Sequence, residues 1–313
     1  MSTAAHRLSV VIPSYNALGT IEPLLTALSA IQPDFPGGMQ VVISDDSSTD
    51  GTVPELRLSY PQFSYREGRR NLGFGGNVNA GVQEADGEHI AIVNTDIELP
   101  ADPFRILLDE LRTSPELFAV MPLIWNTNFM KVENLQYLMV RRGLAWNADM
   151  SQEFEYTQLV RELLEQSGNP AFRLADLMEG REPVQSILCG ALFVCSRKRF
   201  LDLGGFDTRY RPFYWEDVGL GYEAKRRGWQ CAAVPRALCL HRHSVSIDRK
   251  VGAAKLDYLL LNQLRFVLAN RDQLHGLRGA RFWWLMRGLR MQFGGSKMLR
   301  EAYMHVAMGR DDV

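Results

Sequence analysis

Two pairs of adjacent acidic residues are candidates for ligand binding or catalysis. Asp45 and Asp46 follow an apolar run and begin an acidic, hydroxyl-rich turn. Carboxylates at the end of a strand can accept hydrogen bonds from a base N–H or from ribose hydroxyls. A turn capped by its own Asp side chains is the structural alternative, and Asp50 fits that role. Two neighbouring carboxylates are more than a cap requires.

The second pair, Glu216 and Asp217, opens a pattern of helical spacing directly after Phe213, Tyr214 and Trp215. Acidic residues in a first turn complement the helix dipole, which is a sufficient structural reason for them. The same field keeps a carboxylate ionised, and a general base must be ionised to take a proton from a hydroxyl group. The aromatic residues before the pair would shape a pocket. Both roles stay open.

Candidate metal ligands follow two other apolar runs. Asn94, Thr95 and Asp96 come after one, and His241 comes after the last. Hard cations such as Mg²⁺ use one or two carboxylates together with substrate phosphate oxygens, and a metal there would neutralise charge on a departing diphosphate. The structural alternatives are a turn aspartate and a surface histidine.

A glycine-rich stretch precedes a helical pattern and contains Arg70, Asn71, Gly73 and Phe74. Glycines ahead of a helix expose backbone N–H groups that favour an anion, and Arg70 could contact a diphosphate. The stretch lacks the GK[ST] of a P-loop, and it does not directly follow an early strand as a dinucleotide fingerprint should.

The elements that position these residues alternate along the chain. We predict strands at 8–12, 39–43, 89–93, 118–124 and 231–234, and helices at 21–31, 52–60, 75–85, 104–111 and 216–227. Strands separated by single helices imply an α/β fold with a mostly parallel sheet and helices on both faces. Ligands bind beyond the carboxyl ends of such strands, which is where the candidate residues lie.

Two further regions differ from this core in composition. Residues 126–182 form an irregular, polar insertion with a helical pattern at 156–165. Residues 246–313 form a basic, helical C-terminal extension. Residues 241–313 contain 13 Lys and Arg against 6 Asp and Glu, whereas residues 1–240 contain 22 against 30. A cationic tail on an acidic body favours an anionic surface, with membrane phospholipid as the first candidate.

The extension also carries Arg281, Arg287 and Arg290 around Trp283 and Trp284, which suits a peripheral membrane contact. A helical cap or a homodimer contact is the alternative. We expect no nucleic-acid partner, because the body lacks a basic stripe with interleaved aromatics. No apolar run approaches the ~18 residues of a membrane span, and no secretory signal is present. We therefore expect a cytoplasmic protein at the inner face of the membrane.

Taken together, these motifs resemble the inverting glycosyltransferase family 2, and its bacterial rhamnosyl- and galactofuranosyltransferase-like branch in particular. The resemblance runs from Leu8 to His243, so a catalytic domain over 1–245 is expected, with 126–182 on its acceptor side. Its landmarks are Val10–Asn16, Ser44–Gly51, Asn71–Phe74, Asn94–Asp96, Gly204–Asp207, Trp215–Val218 and His241.

The resemblance implies a GT-A fold, a nucleotide-sugar donor and a role for each matching position. Asp217 matches the catalytic base with Glu216 beside it, and Asp96 and His241 match ligands of Mg²⁺ or Mn²⁺. We expect the donor to contact Pro13, Tyr15, Asn16, Asp45, Asp46, Arg70, Asn71, Gly73, Phe74, Asn94, Thr95 and Trp215. Asn94 departs from the first Asp of the usual DxD motif, and Gly219 stands where many members carry a further acid.

The implied activity is transfer of a sugar, with inversion, from a UDP- or dTDP-sugar to a hydroxyl of a glycan or lipid-linked acceptor in cell-surface polysaccharide synthesis. One alternative is a non-catalytic sugar-nucleotide-binding or scaffold protein of the same fold. Another is a sugar nucleotidyltransferase, but residues 13–16 read Pro-Ser-Tyr-Asn where those enzymes carry a glycine-rich loop with Arg and Lys.

Overall fold

The computed structural model describes residues 6–127, 131–149, 184–242, 254–274, 277, 279–290 and 296–310. Its strands are β1 (His6–Ser14), β2 (Met39–Asp45), β3 (Ser64–Glu67), β4 (Gly87–Val93), β5 (Ile97–Glu98), β6 (Leu117–Asn126), β7 (Gln136–Arg141), β8 (Leu144–Asp149), β9 (Val184–Gln185), β10 (Leu192–Ser196) and β11 (Gln230–His241). Its α-helices are α1 (Glu22–Ile31), α2 (Thr52–Ser59), α3 (Gly73–Glu84), α4 (Phe104–Thr113), α5 (Arg197–Asp202), α6 (Glu216–Arg226), α7 (Ala254–Ala269), α8 (Ala280–Arg290) and α9 (Lys297–Ala307).

One mixed sheet organises the molecule, with strand order β3-β2-β1-β4-β10-β6-β11-β5 and β9 paired to β11. The strands β3, β2, β1 and β4 run parallel to one another. Ser14 at the end of β1 pairs with Asp45 at the end of β2. The loops that follow β1, β2 and β4 therefore lie side by side at one edge of the sheet, where α/β folds bind ligands.

β10 runs antiparallel to both of its neighbours, β4 and β6. Its first residue, Leu192, pairs with Val93, the last residue of β4. The chain thus enters β10 from the edge at which β4 ends, so it needs no helical crossover there. The predicted α/β fold with helices flanking the sheet is confirmed, and this strand makes the sheet mixed.

Apolar side chains cover both faces of the sheet, because successive side chains of a strand point to opposite faces. Val10 packs on one face with Leu28 of α1 and Leu107 of α4. Val11 packs on the other face with Val78 of α3 and with α6. The sheet is therefore covered on both sides, and its ligand-binding edge is left for the loops.

A third apolar cluster joins the hairpin β7–β8, the loop before α6 and the C-terminal helices, and it includes Leu144, Trp215, Phe266 and Trp284. The hairpin was not predicted within the polar insertion, whereas the helices of the C-terminal extension were. The helical stretch predicted at 156–165 lies outside the described residues. Within the described ranges, no helix combines the length and apolar character needed to cross a bilayer.

β11 extends well beyond the predicted end at Val234. A proline at 235 suggests a strand end, since it cannot donate to the ladder. Instead, Val234 pairs with Pro122 and Leu238 pairs with Leu123, so the three residues between Val234 and Leu238 form a bulge. Pairing then resumes as far as His241, which brings this side chain to the same edge as Asp96.

Candidate active site

Hydrogen bonds between backbones join the loops that carry the predicted site. The N–H of Asp46 donates to the carbonyl of Ser14 at 2.8 Å, and the N–H of Asn94 donates to the carbonyl of Ala191 at 2.9 Å. The first bond links the loop after β1 to the loop after β2. The second links the loop after β4 to the segment before β10. The predicted residues at 13–16, 45–46 and 94–96 therefore lie at one edge.

Asn16 and Asp45 both form hydrogen bonds with the turn that follows β2. Asn16 has φ 48°, its N–H donates to the Ser48 hydroxyl at 2.7 Å, and its Oδ1 accepts from the N–H of Thr49 at 2.7 Å. The buried Asp45 carboxylate accepts from the N–H of Ser48 at 2.8 Å and from the hydroxyl of the same residue. Tyr15, by contrast, is 42% exposed.

Asp46 anchors the start of α3. Its carboxylate oxygens accept from the N–H groups of Leu72 at 2.7 Å and Gly73 at 3.0 Å, which α3 leaves without an intrahelical partner. Burial raises the pKa of Asp46, while these two bonds and the Arg66 charge oppose the increase. The structure thus gives Asp46 a positioning role, and its contact with a donor remains a prediction.

The glycine-rich stretch packs against the loop before α6. Gly73 has φ 76°, and a Cβ there would stand 2.9 Å from the carbonyl oxygen of Pro212. That carbonyl also accepts from the N–H of Phe74 at 2.8 Å. Asn71 and Arg70 are exposed at the same turn. The glycine therefore allows the two loops to approach each other.

Arg66 is a residue of this edge that the sequence did not single out. Its Nη1 donates to Asn77 Oδ1 at 3.1 Å and to the carbonyl of Asp45 at 3.3 Å. It lies on β3, a short edge strand without an apolar run, so no pattern marks it.

The second acidic pair begins α6 after two left-handed residues, Tyr214 and Trp215, with φ 75° and 77°. Asp217 Oδ2 accepts from the N–H of Gly190 at 2.7 Å, and its Oδ1 accepts from the N–H of Val218 at 2.8 Å. The Trp215 ring is buried against Phe266, 5.1 Å between centroids, so its placement favours packing. A donor contact for Trp215 stays a prediction.

Glu216 and Asp217 differ in what surrounds their carboxyl groups. Glu216 is buried, and its Oε2 has no hydrogen-bond partner among the described residues. Burial, followed by the charge of Asp217, raises the pKa of Glu216 well above its ordinary value. Burial also raises the pKa of Asp217, but its two backbone hydrogen bonds oppose the increase. Burial therefore favours the neutral form at Glu216, whereas the two backbone donors at Asp217 favour the ionised form there.

The start of α6 was expected to keep the Asp217 carboxylate ionised. Burial opposes this effect and raises the pKa of Asp217, because desolvation outweighs the donors. A raised pKa makes the ionised carboxylate a stronger base.

The pairing of β5 with β11 places His241 beside Asp96, since His241 pairs with Ile97. His241 Nε2 lies 3.4 Å from Asp96 Oδ1, and its Nδ1 lies 2.8 Å from Glu133 Oε2. Burial lowers the pKa of His241, but the hydrogen bonds and charges of the two carboxylates outweigh it and bring the pKa to about 9. Glu133 was not predicted, because it lies in the polar insertion.

These side chains supply a small donor set for a divalent cation. Asp96 offers a carboxylate and His241 an imidazole nitrogen, while Glu133 holds the other ring nitrogen, as outer carboxylates do in metal sites. Among the described residues, no group of three or more His, Cys, Asp or Glu side chains is arranged to hold a metal ion. Two ligands suit Mg²⁺ or Mn²⁺ only if a substrate diphosphate and water complete the coordination.

The segment before β10 connects the acidic pair to the loop after β4. Gly190 donates its N–H to Asp217, and the next residue, Ala191, accepts from the N–H of Asn94. A Cβ at Gly190 would lie 3.2 Å from Asp217 Oδ2. Asp217 and Asp96 therefore lie at the same edge of the sheet, and Asp45 lies there with them.

A further residue from the C-terminal extension holds the loop that leads to Asp217. The amide of the fully buried Asn262 donates to the carbonyls of Tyr210, Phe213 and Tyr214 at 2.6, 2.9 and 3.1 Å. Its Oδ1 accepts from Arg265 at 3.0 Å, which fixes the orientation of the amide. No sequence pattern reveals this contact, because the two partners lie about fifty positions apart.

Comparison with known proteins identifies the family. The sequence model of glycosyl transferase family 2 matches residues 9–166. The chain belongs to glycosyl transferase family 2. Its relatives include an N-acetylglucosaminyl-diphospho-decaprenol L-rhamnosyltransferase of Mycobacterium tuberculosis, 26% identical over 294 residues, which cover 90% of this chain and 89% of the relative.

Solved structures confirm the GT-A fold of this family 2 enzyme. GalNAc-T7 with UDP, GalNAc and Mn²⁺ superposes with a TM-score of 0.65 at 16% identity, over 95% of this chain and 54% of that one. A mannosyltransferase from Pyrobaculum calidifontis in complex with GDP-Man and Mn²⁺ gives a TM-score of 0.55 at 18% identity, over 98% and 76%. This chain thus spans about half the length of the first structure.

Proposed function

We propose that this glycosyltransferase moves a sugar from a nucleotide-diphosphate donor, a UDP- or dTDP-sugar, to an acceptor hydroxyl with inversion at the anomeric carbon. The observation that carries the proposal is the position of Asp217. This carboxylate lies at the same edge as Asp96 and His241, and it is bonded to the strand segment that borders them. In the proposed complex, the base lies on one side of the reacting sugar and the diphosphate-binding groups lie on the other.

Asp217 accepts the proton of the acceptor hydroxyl as the hydroxyl oxygen bonds to the anomeric carbon. The bond from that carbon to the diphosphate oxygen breaks on the opposite face, and the electron pair leaves with the nucleotide diphosphate. Because a single displacement exchanges the two faces, the configuration inverts. We assign the ionised form to Asp217, because its two backbone hydrogen bonds favour the charged carboxylate, whereas burial favours the neutral form of Glu216.

Donor recognition falls to the loops after β1, β2 and β4. Tyr15 offers an exposed ring, and Asn94 has a buried Oδ1 with no hydrogen-bond partner among the described residues. An unpaired buried acceptor is costly unless a ligand satisfies it, so we assign Asn94 Oδ1 to a donor hydroxyl or N–H. The remaining proposed donor contacts are Pro13, Asn16, Asp45, Arg70, Asn71, Gly73, Phe74 and Thr95.

A divalent cation, when bound, neutralises charge that develops on the leaving diphosphate. Asp96 and His241 would hold it, and Glu133 would orient His241. The two structural neighbours with Mn²⁺ support this assignment.

We assign the acceptor to a lipid-linked glycan in cell-surface polysaccharide synthesis, reached from the cytoplasmic face of the membrane. The support comes from relatives whose names include a polyprenyl lipid. One is the N-acetylglucosaminyl-diphospho-decaprenol L-rhamnosyltransferase. Another is a dodecaprenyl-phosphate galacturonate synthase from Rhizobium johnstonii, 28% identical over 112 residues, which cover 33% of this chain and 32% of the relative.

A panel of nucleotide sugars, scored first by thermal shift with Mn²⁺ and then by transfer, tests the proposal. Asp217→Asn should bind the best donor as the wild type does but lose transfer by at least a thousandfold. Asp202→Asn, an exposed acid of α5 paired with Lys198, is the matched control and should keep full activity. Undiminished transfer by Asp217→Asn would refute the base assignment, and donor binding without transfer by the wild type would favour a non-catalytic subunit.

A further inference from the structure

The tip of the hairpin β7–β8 and the helix α8 form one continuous unit on the surface. Trp284 Nε1 donates to the carbonyl of Gly143 at 2.7 Å, and Arg287 Nη1 donates to the carbonyl of Arg142 at 2.7 Å. A Cβ at Gly143 would stand 3.0 Å from Ala280, so the turn and the helix are in close contact. The outward-facing side chains of the hairpin turn and of α8 are therefore held in fixed positions relative to each other.

Four arginine side chains gather on the outside of this unit. Two shallow hollows of about 250 and 200 Å³ share Arg142 and Arg287 in their walls. Arg141 lines the first hollow and Arg290 the second. None of these arginines forms an ion pair with a described carboxylate.

The like charges are also close enough to affect one another. Burial lowers the pKa of Arg287, and the nearby charges of Arg142 and Arg290 lower it further, against an opposing effect of Tyr303. Cations held together, with no ion-paired carboxylate in the part of the chain that the structure describes, favour the binding of an anionic surface.

Exposed aromatic residues border the same hollows. Phe282 is 58% exposed and Trp146 is 39% exposed, whereas the guanidinium of Arg142 lies 5.0 Å from the centre of the Trp283 ring. Leu285 and Leu289 extend the exposed apolar stripe along α8 at helical spacing. Arginine mixed with aromatic and aliphatic side chains is typical of proteins that rest in the headgroup region of a bilayer.

We propose that this arginine–aromatic surface, formed by Arg141, Arg142, Trp146, Phe282, Arg287 and Arg290, binds a membrane that contains anionic phospholipid. A second copy of the chain is a poorer occupant, because a twofold contact through this surface would set arginines against the same arginines. The hairpin, α8 and Trp215 share the third apolar cluster, so docking also fixes the candidate active site relative to the bilayer.

The inference deepens the proposed function, since it rests on an acceptor held in a membrane, but its test needs no donor or acceptor. The full chain is sedimented with two kinds of vesicle, phosphatidylcholine alone and phosphatidylcholine with about 30% phosphatidylglycerol. The second kind carries enough anionic lipid to attract a basic surface. Binding should require the anionic lipid and weaken at high salt.

The triple variant Arg141→Gln, Arg142→Gln, Arg290→Gln removes three cations. Each contributes roughly fivefold near an anionic surface, so affinity should fall on the order of a hundredfold. Phe282→Ser should cost roughly tenfold. The matched control changes Arg57, Arg112 and Arg227, exposed arginines elsewhere, to Gln and should bind as the wild type does.

Equal loss in both triple variants, or no loss in the first, would overturn the proposal. The proposal would also fail if the wild-type chain did not bind the vesicles. It would fail as well if the first triple variant lost self-association, measured by light scattering, instead of vesicle binding. If inorganic phosphate at millimolar concentration abolished vesicle binding, the surface would be a site for a free anion, and this result would also count against a membrane. Normal donor binding and transfer to a soluble acceptor in the same samples would leave the proposed function standing.

Discussion

Asn262 connects the C-terminal extension to the loop that positions Asp217, and its removal should damage catalysis more than donor binding. An amide NH₂ group has two hydrogens for the three carbonyl oxygens that it faces. At roughly 1–1.5 kcal/mol for each buried hydrogen bond, Asn262→Ala should lower the free energy of unfolding by about 2–3 kcal/mol. In a chain of this size that corresponds to a fall in melting temperature of roughly 3–5 °C.

The functional loss follows from the same bonds. Once the carbonyls of Tyr210, Phe213 and Tyr214 are released, the start of α6 is no longer fixed, and a displacement of about 1 Å at a reacting group can cost a hundredfold in rate. We expect kcat for transfer to fall about ten- to a hundredfold and the affinity for the donor to fall much less, because no hydrogen bond among the described residues joins Asn262 to the loops after β1, β2 and β4.

Initial rates at saturating donor, with donor affinity measured separately, give both quantities. Asn262→Asp keeps an acceptor for Arg265 but turns a carboxylate oxygen toward the carbonyls, so it should be at least as impaired as Ala. Asn270→Ala is the control, since that amide donates only to Phe266 of its own helix among the bonds described. Wild-type kcat and melting temperature in Asn262→Ala would show that the extension does not position the base.

Four other changes test the site. Glu133→Gln should weaken Mn²⁺ binding about tenfold or more, measured by electron paramagnetic resonance, because it no longer orients His241 as a carboxylate does. Gly73→Ala should lower the melting temperature by several degrees, since a left-handed residue would acquire a Cβ 2.9 Å from a carbonyl oxygen. As pH falls, the rate of transfer should begin to decline at a higher pH than an ordinary aspartate would give. The reason is that the pKa of the base, Asp217, is raised, so Asp217 takes up its proton at a higher pH. The pKa of Glu216 is higher in the folded than in the unfolded chain, so Glu216 stabilises the fold at low pH and loses this contribution as pH rises. Glu216→Gln should therefore make the free energy of unfolding, measured by urea titration, decline less as pH rises.

The parallel half of the sheet could be predicted from the sequence because its strands are short apolar runs with one helix between each pair. The same rule placed the residues after β1, β2 and β4 at a common edge. Elements without that pattern were missed. β3 has no fully buried residue, and in β7 the large residues Tyr137 and Met139 face outward, which hides the alternation.

The site residues that escaped prediction act through contacts between distant segments. Glu133 reaches His241 only because β11 continues past a proline, and Gly190 reaches Asp217 only because β10 enters the sheet from the carboxyl edge. Local propensity and periodicity carry no information on such pairings, which are set by the strand order. Charge alone did indicate the C-terminal extension as a basic surface, but not that a hairpin would complete it.

The bulge in β11 acts as a spacer that sets the reach of the strand. Were every residue from Val234 to His241 paired, the imidazole would lie three positions farther along β6, roughly 10 Å past Asp96. Three is an odd number, so the ring would also project from the wrong side of the sheet. A chain shortened by residues 235–237 would retain the present alignment of His241 with Asn126, whereas a chain lengthened there by one residue would have to enlarge the loop or lose the histidine from the edge.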